Sequence, residues 1–375
     1  MQEVIIMAKI ARMLNKPEDL KKLGLTAHTV EAWEDGKRSE DHKGDFEWWY
    51  FDSIMEDGTS VVVHVNTKQP ETMQKDGSHP IVIITITTPD GTIYTDSIPY
   101  YDASQFSFSK EGCDVKVGPH YVCGDLTDYT IHVEPVNGIG CDLKLHNIRK
   151  SWRPGSGHLQ WGEGKDLLTW LFVVPRGDIC GTITYNGQTR DVSGDGYHDH
   201  QWGHGASTFF NVNHWLWGRH NYEDYTLLIF DMVASKKWNN QRFPIFCIQD
   251  ENGDVVFEST EMNANFHCEV LEEAFDEEIG RNFPHKIRYT AQNDHVKFTY
   301  ELTNKLVIGR KDRYKEMPKP VRWVMDLLKV APAYARYKAD GVLDMEIDGK
   351  HIHRDGEMIY EFAYFSRSYK EAMTV

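Results

Sequence analysis

The 375-residue chain has no surplus of positive charge: 41 Lys and Arg stand against 57 Asp and Glu, a formal net charge of −16. Neutralising phosphates needs a basic surplus, so nucleic acid is not an expected partner. No apolar run approaches the roughly 20 residues that span a bilayer. The six cysteines, Cys113, Cys123, Cys141, Cys180, Cys247 and Cys268, form no CxxC pair and no disulfide-dense spacing, which suits reduced thiols in a cytoplasmic protein. There is no G-x-S-x-G elbow and no cysteine in a recognisable activating context, so nothing points to nucleophilic hydrolysis. Gly155-Ser156-Gly157 and Gly162-Glu163-Gly164 do not follow the strand-to-helix phosphate pattern, which argues against nucleotide use. Residues 4–11, broken by Lys9, are too short for a secretory core and read as an amphipathic helix or a frayed leader.

What the chain does have is many short runs of β-branched and aromatic residues. Residues 46–52, 60–65, 81–87, 129–133, 171–174, 181–185, 226–230, 255–257, 295–300 and 341–347 read as strands. Turn residues separate them, among them Asp57-Gly58, Asp90-Gly91, Asn186-Gly187 and Asp348-Gly349. This spacing predicts an all-β protein of two β-barrel or β-sandwich domains with few short helices, since one core seldom serves 375 residues. Segment 1–28 is expected to be a leader with a short helix at 17–23, followed by domains at 29–204 and 205–375, with the boundary near residues 203–207. The best longer helix candidate is 321–338, interrupted by Pro332.

Chemistry concentrates in Gly194-Asp195-Gly196-Tyr197-His198-Asp199-His200-Gln201-Trp202-Gly203-His204, with Trp215, Trp217 and Asp231 soon after. Strand alternation puts His198 and His200 on one face and Asp199 on the other. His198, His200 and His204 have a spacing a mononuclear metal could use. No further ligand can be named and the zinc helix motif is absent, so no metal and no cofactor is expected. Acid and base candidates remain: Asp195, Asp199, His198, His200 and Asp231, with Glu47 and Asp52 flanking the Trp48-Trp49 pair. A carboxyl group buried against indole is kept protonated at neutral pH and can donate. Trp48, Trp49, Trp202, Trp215 and Trp217 could then stabilise positive charge in an apolar substrate, although for each taken singly core packing is the better explanation, and only their clustering beside ionisable groups favours the site.

The runs Glu47-Trp48-Trp49-Tyr50-Phe51-Asp52, Gly196-Tyr197-His198-Asp199-His200-Gln201-Trp202-Gly203 and Trp215-Leu216-Trp217-Gly218-Arg219 resemble the signatures of the carotenoid 1,2-hydratase (hydroxyneurosporene synthase) and AttH-like family. The resemblance extends from about Thr29 onward, and the family also resembles fungal Diels-Alderases. It implies two lipocalin-like domains and an apolar site near their junction. It further implies a cofactor-free lyase or cyclase that protonates a C=C bond of a terpenoid or polyene, followed by hydration or internal capture. On that basis Asp199, His200, Asp231 and His198 are the catalytic candidates. Trp202, Trp215, Trp217, Trp48, Trp49, Tyr197 and Glu47 are the substrate-binding ones. Pericyclic cyclisation and a non-catalytic lipophile carrier are the alternatives.

One segment departs from the acidic background. Residues 305–338 carry ten basic and three acidic side chains, +7 locally, which leaves −23 for the remainder. With Trp323, Val324, Leu327, Leu328, Tyr334 and Tyr337 interleaved, the segment reads either as a membrane-peripheral element for anionic lipid or as a solvated helix and loop packed on the barrel through its aromatics.

Overall fold

The computed structural model describes residues 10–164, 166–205, 208–263 and 265–370. The expected leader residues 4–9 and residues 206 and 207 of the expected domain boundary lie outside this set. Antiparallel strands dominate, as the turn spacing predicts. The first sheet comprises β1 (Ala11–Met13), β2 (Phe46–Met55), β3 (Ser60–Asn66), β4 (Ile81–Thr87), β5 (Ile93–Pro99), β6 (Phe106–Phe108), β7 (Cys113–Val117), β8 (His120–Gly124), β9 (Asp128–Val133), β10 (Gly140–Asn147), β11 (His158–Trp161), β12 (Asp166–Tyr185) and β13 (Gln188–His204). The second comprises β14 (Val212–Asn221), β15 (Thr226–Ala234), β16 (Arg242–Gln249), β17 (Val255–Ser259), β18 (Phe266–Asp276), β19 (Arg281–Gln292), β20 (Val296–Lys311), β21 (Val330–Ile347) and β22 (Lys350–Ser366).

In the first sheet β2 lies between β3 and β13, and β13 between β2 and β12; in the second, β14 lies between β15 and β22. Two long hairpins, β12–β13 and β21–β22, run through the middle of these sheets. Their turns need consecutive positive φ angles, which Asn186 (+50°) with Gly187 (+71°) and Asp348 (+47°) with Gly349 (+81°) supply.

Each sheet curls around its own apolar interior. Trp49, Phe51, Val63 and Leu171 fill the first, and Phe246, Tyr289, Phe298 and Tyr300 fill the second. Because side chains alternate along a strand, the opposite faces of the same strands meet in a third layer between the sheets. Tyr50, Phe172 and Tyr197 enter it from one side, and Trp217, Phe230 and Phe243 from the other.

An ionic hub crosses that layer. Asp52 of β2 accepts from Arg219 Nε of β14 at 2.8 Å, from Arg336 Nη2 of β21 at 2.9 Å and from the Tyr50 hydroxyl at 2.9 Å. Burial alone would push this carboxyl up, but the two guanidiniums outweigh it and hold it below the usual carboxylate range.

The helices are α1 (Pro17–Leu23), α2 (Arg313–Glu316) and α3 (Lys319–Leu327). The first matches expectation, whereas the expected helix over 321–338 is mostly not helical. It ends at Leu327, and from Val330 the chain is strand β21. The alternating burial of Ala331, Ala333 and Ala335 follows the strand period of two, and Pro332 is tolerated at a register shift in the pairing with β22.

Removing the hub anion should be costly. Asp52→Ala leaves two buried guanidiniums uncompensated, and a loss of about 3–5 kcal/mol in unfolding free energy is expected by denaturant titration. A loss below about 1 kcal/mol would show that the pairing between the sheets does not rest on this carboxylate.

Candidate active site

The site is built on the β2–β13 pair, whose register sets His198 opposite Phe51, Asp199 opposite Tyr50, His200 opposite Trp49 and Gln201 opposite Trp48. Alternation sends the even positions of β13 into the interior of the first sheet and the odd positions into the layer between sheets.

On the inner face the two histidines are fully enclosed. His198 stacks on Phe51 at 3.9 Å and His200 on Trp49 at 4.6 Å. His198 Nδ1 lies 3.0 Å from the Tyr50 carbonyl and its Nε2 3.2 Å from Asp35 Oδ2. His200 Nε2 lies 2.9 Å from Glu47 Oε1, and its Nδ1 lies 3.2 Å from the Glu34 carbonyl. Glu47 in turn accepts from the Arg38 and Ser39 backbone N–H groups and from the Ser39 hydroxyl. These bonds pin the short helical turn Ala32–Asp35 and the segment after it against the β2–β13 pair. Trp202 packs edge-on to His158, also on this side.

The outer face carries Asp199. Its Oδ2 accepts from the Tyr197 hydroxyl at 2.7 Å, and Gln201 Nε2 approaches Oδ1 at 3.4 Å. The Tyr197 oxygen also accepts from Trp217 Nε1 at 3.3 Å, which joins the acid to the second sheet. Aromatic rings surround the group: Tyr50, Tyr197 and Trp217 make mutual edge contacts, and a chain of contacts runs from Tyr197 through Phe172, Trp170 and Phe230 to Trp215. Burial drives the Asp199 carboxyl well above the usual carboxylate range, against the opposing bonds from Tyr197 and Gln201, and the charges of Glu361 and Asp52 push in the same direction as burial. Burial thus favours the protonated form of Asp199.

A second carboxyl shares this layer. Glu361 of β22 accepts from Tyr334 at 2.8 Å and from Trp215 Nε1 at 3.4 Å, and burial raises it although Arg336 opposes. At the margin, Trp48, Trp215 and Phe365 are partly exposed, as is His64, which burial holds down to about 4. On the same β13 face, Asp195 lines a cleft of about 840 Å³ between the sheets, together with Ile54, Leu145, Arg176, Lys338 and Met358. The lining of this cleft ends at Asp195 and includes neither Tyr197 nor Asp199, both of which are buried.

The remaining candidates lie elsewhere. Asp231 points into the interior of the second sheet, where Arg242 takes both its oxygens and Tyr289 donates to Oδ2 at 2.9 Å. His204 is half exposed and pairs with Asp45. Of the sequence-named residues, Asp199, Tyr197, Trp217, Trp215 and Trp48 thus share the inter-sheet layer. His198, His200, Glu47, Trp49 and Trp202 share the inner face of the first sheet. The group of metal-ligating type among the described residues is Asp35, Cys113 and His198, with donor atoms within 4.8 Å of one another. Burial pushes the Cys113 thiol well up, away from the thiolate a metal needs, and Tyr129 already donates to Asp35 at 2.6 Å.

Sequence reasoning missed Tyr50, Gln201, Arg219, Arg336, Glu361 and Tyr334. Tyr50 and Gln201 were available from alternation, since they share parity with Trp48 and Asp199. The others come from strands brought together only by the fold.

No protein-family model matches the chain, and no curated protein matches it at a significant level. Among solved structures, one assigned to AttH of Nitrosomonas europaea superposes with a TM-score of 0.62 over 91% of this chain and 98% of its own, at 14% identity. The fold is the AttH fold. Kievitone hydratase of Nectria haematococca has it too (TM-score 0.56, 12% identity, 90% of this chain and 93% of that one). So does CghA with Sch210972 (TM-score 0.59, 12% identity, 91% and 97%). The architecture read from the motifs of the AttH-like resemblance is thereby shared by three solved proteins. At such identities the likeness concerns architecture, and the chemistry of this chain rests on its own residues.

The protonated state of Asp199 has a thermodynamic signature. A carboxyl raised in the folded state contributes stability that is fully present below its unfolded value of about 3.9 and is lost as pH rises through the folded value. Relative to the Asp199→Asn variant, wild type should lose unfolding free energy steadily from about pH 4 upward through neutrality. Parallel stability curves for the two proteins would mean that Asp199 ionises normally.

Proposed function

We propose that the protein is a cofactor-free hydratase or cyclase that protonates a C=C bond of a hydrophobic terpenoid or polyene, with Asp199 as the acid. The observation that carries this reading is a buried carboxyl, Asp199, hydrogen-bonded to Tyr197 and enclosed by Tyr50, Phe172 and Trp217 between two sheets, where burial raises it towards the protonated form. Junctions between packed layers are where ligand sites concentrate. The acid's proton goes to one alkene carbon and leaves a cation on the other and a carboxylate on Asp199. Faces of the Trp217 and Tyr197 rings stabilise that cation in a water-poor layer. In hydration, water adds to the cation and its proton returns to Asp199; in cyclisation, an internal alkene or hydroxyl adds and the proton lost afterwards returns to the acid. That kievitone hydratase, a hydratase by name, has the same architecture supports the hydration branch.

Asp199 is preferred over Asp231 because both oxygens of Asp231 are taken by Arg242. In this reading His198 and His200, which face away from the acid, are positioning residues that fix the strand bearing it. Trp48 and Trp215 line the approach at the layer's margin.

Incubation of the protein with isoprenoid and polyene candidates, followed by mass spectrometry, checks the reading. A product heavier by one water supports hydration and an isomer of unchanged mass supports cyclisation. Asp199→Asn should lower turnover by about 10²–10⁴-fold with tertiary structure retained. Unimpaired turnover in that variant, or recovery of bound but unaltered ligand, counts against the acid mechanism.

A further inference from the structure

Helix α3 is amphipathic and mounted with its apolar side outward. At 100° per residue, Lys319, Arg322 and Asp326 form a narrow polar stripe, and the remaining arc holds Val321, Trp323, Val324, Met325, Leu327 and Leu328. In an ordinary surface helix the apolar arc packs on the core. Here Asp326 of the polar stripe is tied to the protein, accepting from the Tyr314 hydroxyl at 2.5 Å and pairing with Arg367, while no residue of the helix is buried. Trp323 and Leu327 are each 66% exposed and Leu328 57%. Of the segment's aromatics, Tyr337 packs in the interior of the second sheet and Tyr334 bonds to Glu361, whereas Trp323 of α3 stays exposed.

The surroundings select the occupant. Exposed Lys311, Lys315, Lys319 and Lys329 ring the apolar arc, within a segment of +7 in a chain whose remainder carries −23. A second copy of so acidic a chain would meet this patch with its own basic ring and apolar arc in a two-fold contact, which places like charges together. A bilayer with anionic headgroups satisfies both features, taking the apolar side chains below the headgroups and the lysines among them. We propose that α3 and its basic flanks dock the protein on an anionic membrane surface.

The position of the helix gives this docking a purpose, which rests on the function proposed above. Helices α2 and α3 pack on β21, the strand that carries Tyr334 and Arg336 in the inter-sheet layer. A lipophile dissolved in the bilayer would meet the protein beside the partly exposed Trp215 and Phe365.

Co-sedimentation with phosphatidylcholine vesicles, with and without phosphatidylserine, tests the docking in the absence of substrate. Pelleting should require phosphatidylserine and weaken with salt. It should fall about tenfold or more in Trp323→Ser/Leu327→Ser and in Lys319→Glu/Lys329→Glu, all exposed positions whose variants keep the wild-type near-ultraviolet circular dichroism. Asp199→Asn should pellet like wild type, so a failure of the acid mechanism and a failure of docking are read separately. Absence of pelleting, equal binding to neutral vesicles, or self-association abolished by the Trp323→Ser/Leu327→Ser variant would each overturn the proposal.

Discussion

Everything at the candidate site follows from the two-residue alternation of one antiparallel pair, β2 with β13. Adjacent side chains on these strands go to different environments. His198 and His200 enter the interior of the first sheet and close bonds with Asp35 and Glu47, whereas Tyr197 and Asp199 enter the layer between sheets. A slip of one residue would exchange them and bury the ionic groups among aliphatic side chains. The histidine bonds therefore do more than fill space: they fix the register that keeps Asp199 on the aromatic side.

The layer between sheets combines two electrostatic conditions a few strand positions apart. Arg219 and Arg336 hold Asp52 below the usual carboxylate range, whereas burial raises Asp199, whose partners Tyr197 and Gln201 bring no positive charge to offset it. Two carboxyls of the same type thus take separate tasks, one holding the sheets together and one holding a proton. Helix α3 packs on β21, which pairs with β22, the strand that carries Glu361.

Much of this was legible in the sequence because it is local. Turn dipeptides such as Asn186-Gly187 and Asp348-Gly349 gave the hairpins, and the parity of His198, Asp199 and His200 gave their opposite directions. The Trp-rich motifs gave the architecture through family likeness. What was not legible depends on distant pairing. Arg336 reaches Asp52 across 284 positions and Tyr334 meets Glu361 across two strands. Asp231 looked like a free acid because its partner Arg242 lies across the β15–β16 hairpin. The stretch after Leu327 misled for another reason: its alanines favour helix intrinsically, and the period-two burial that makes it a strand comes from the sheet it joins.

The central claim is that Asp199 keeps its proton at neutral pH inside the aromatic layer. Carbon-13 labelling of aspartate carboxyls, with the Asp199 resonance assigned by its loss in Asp199→Asn, reads that proton directly by nuclear magnetic resonance. The account predicts a resonance at the protonated position that does not move as pH is raised through the ordinary carboxylate range, about 3 to 5. A resonance that titrates in that range would contradict it.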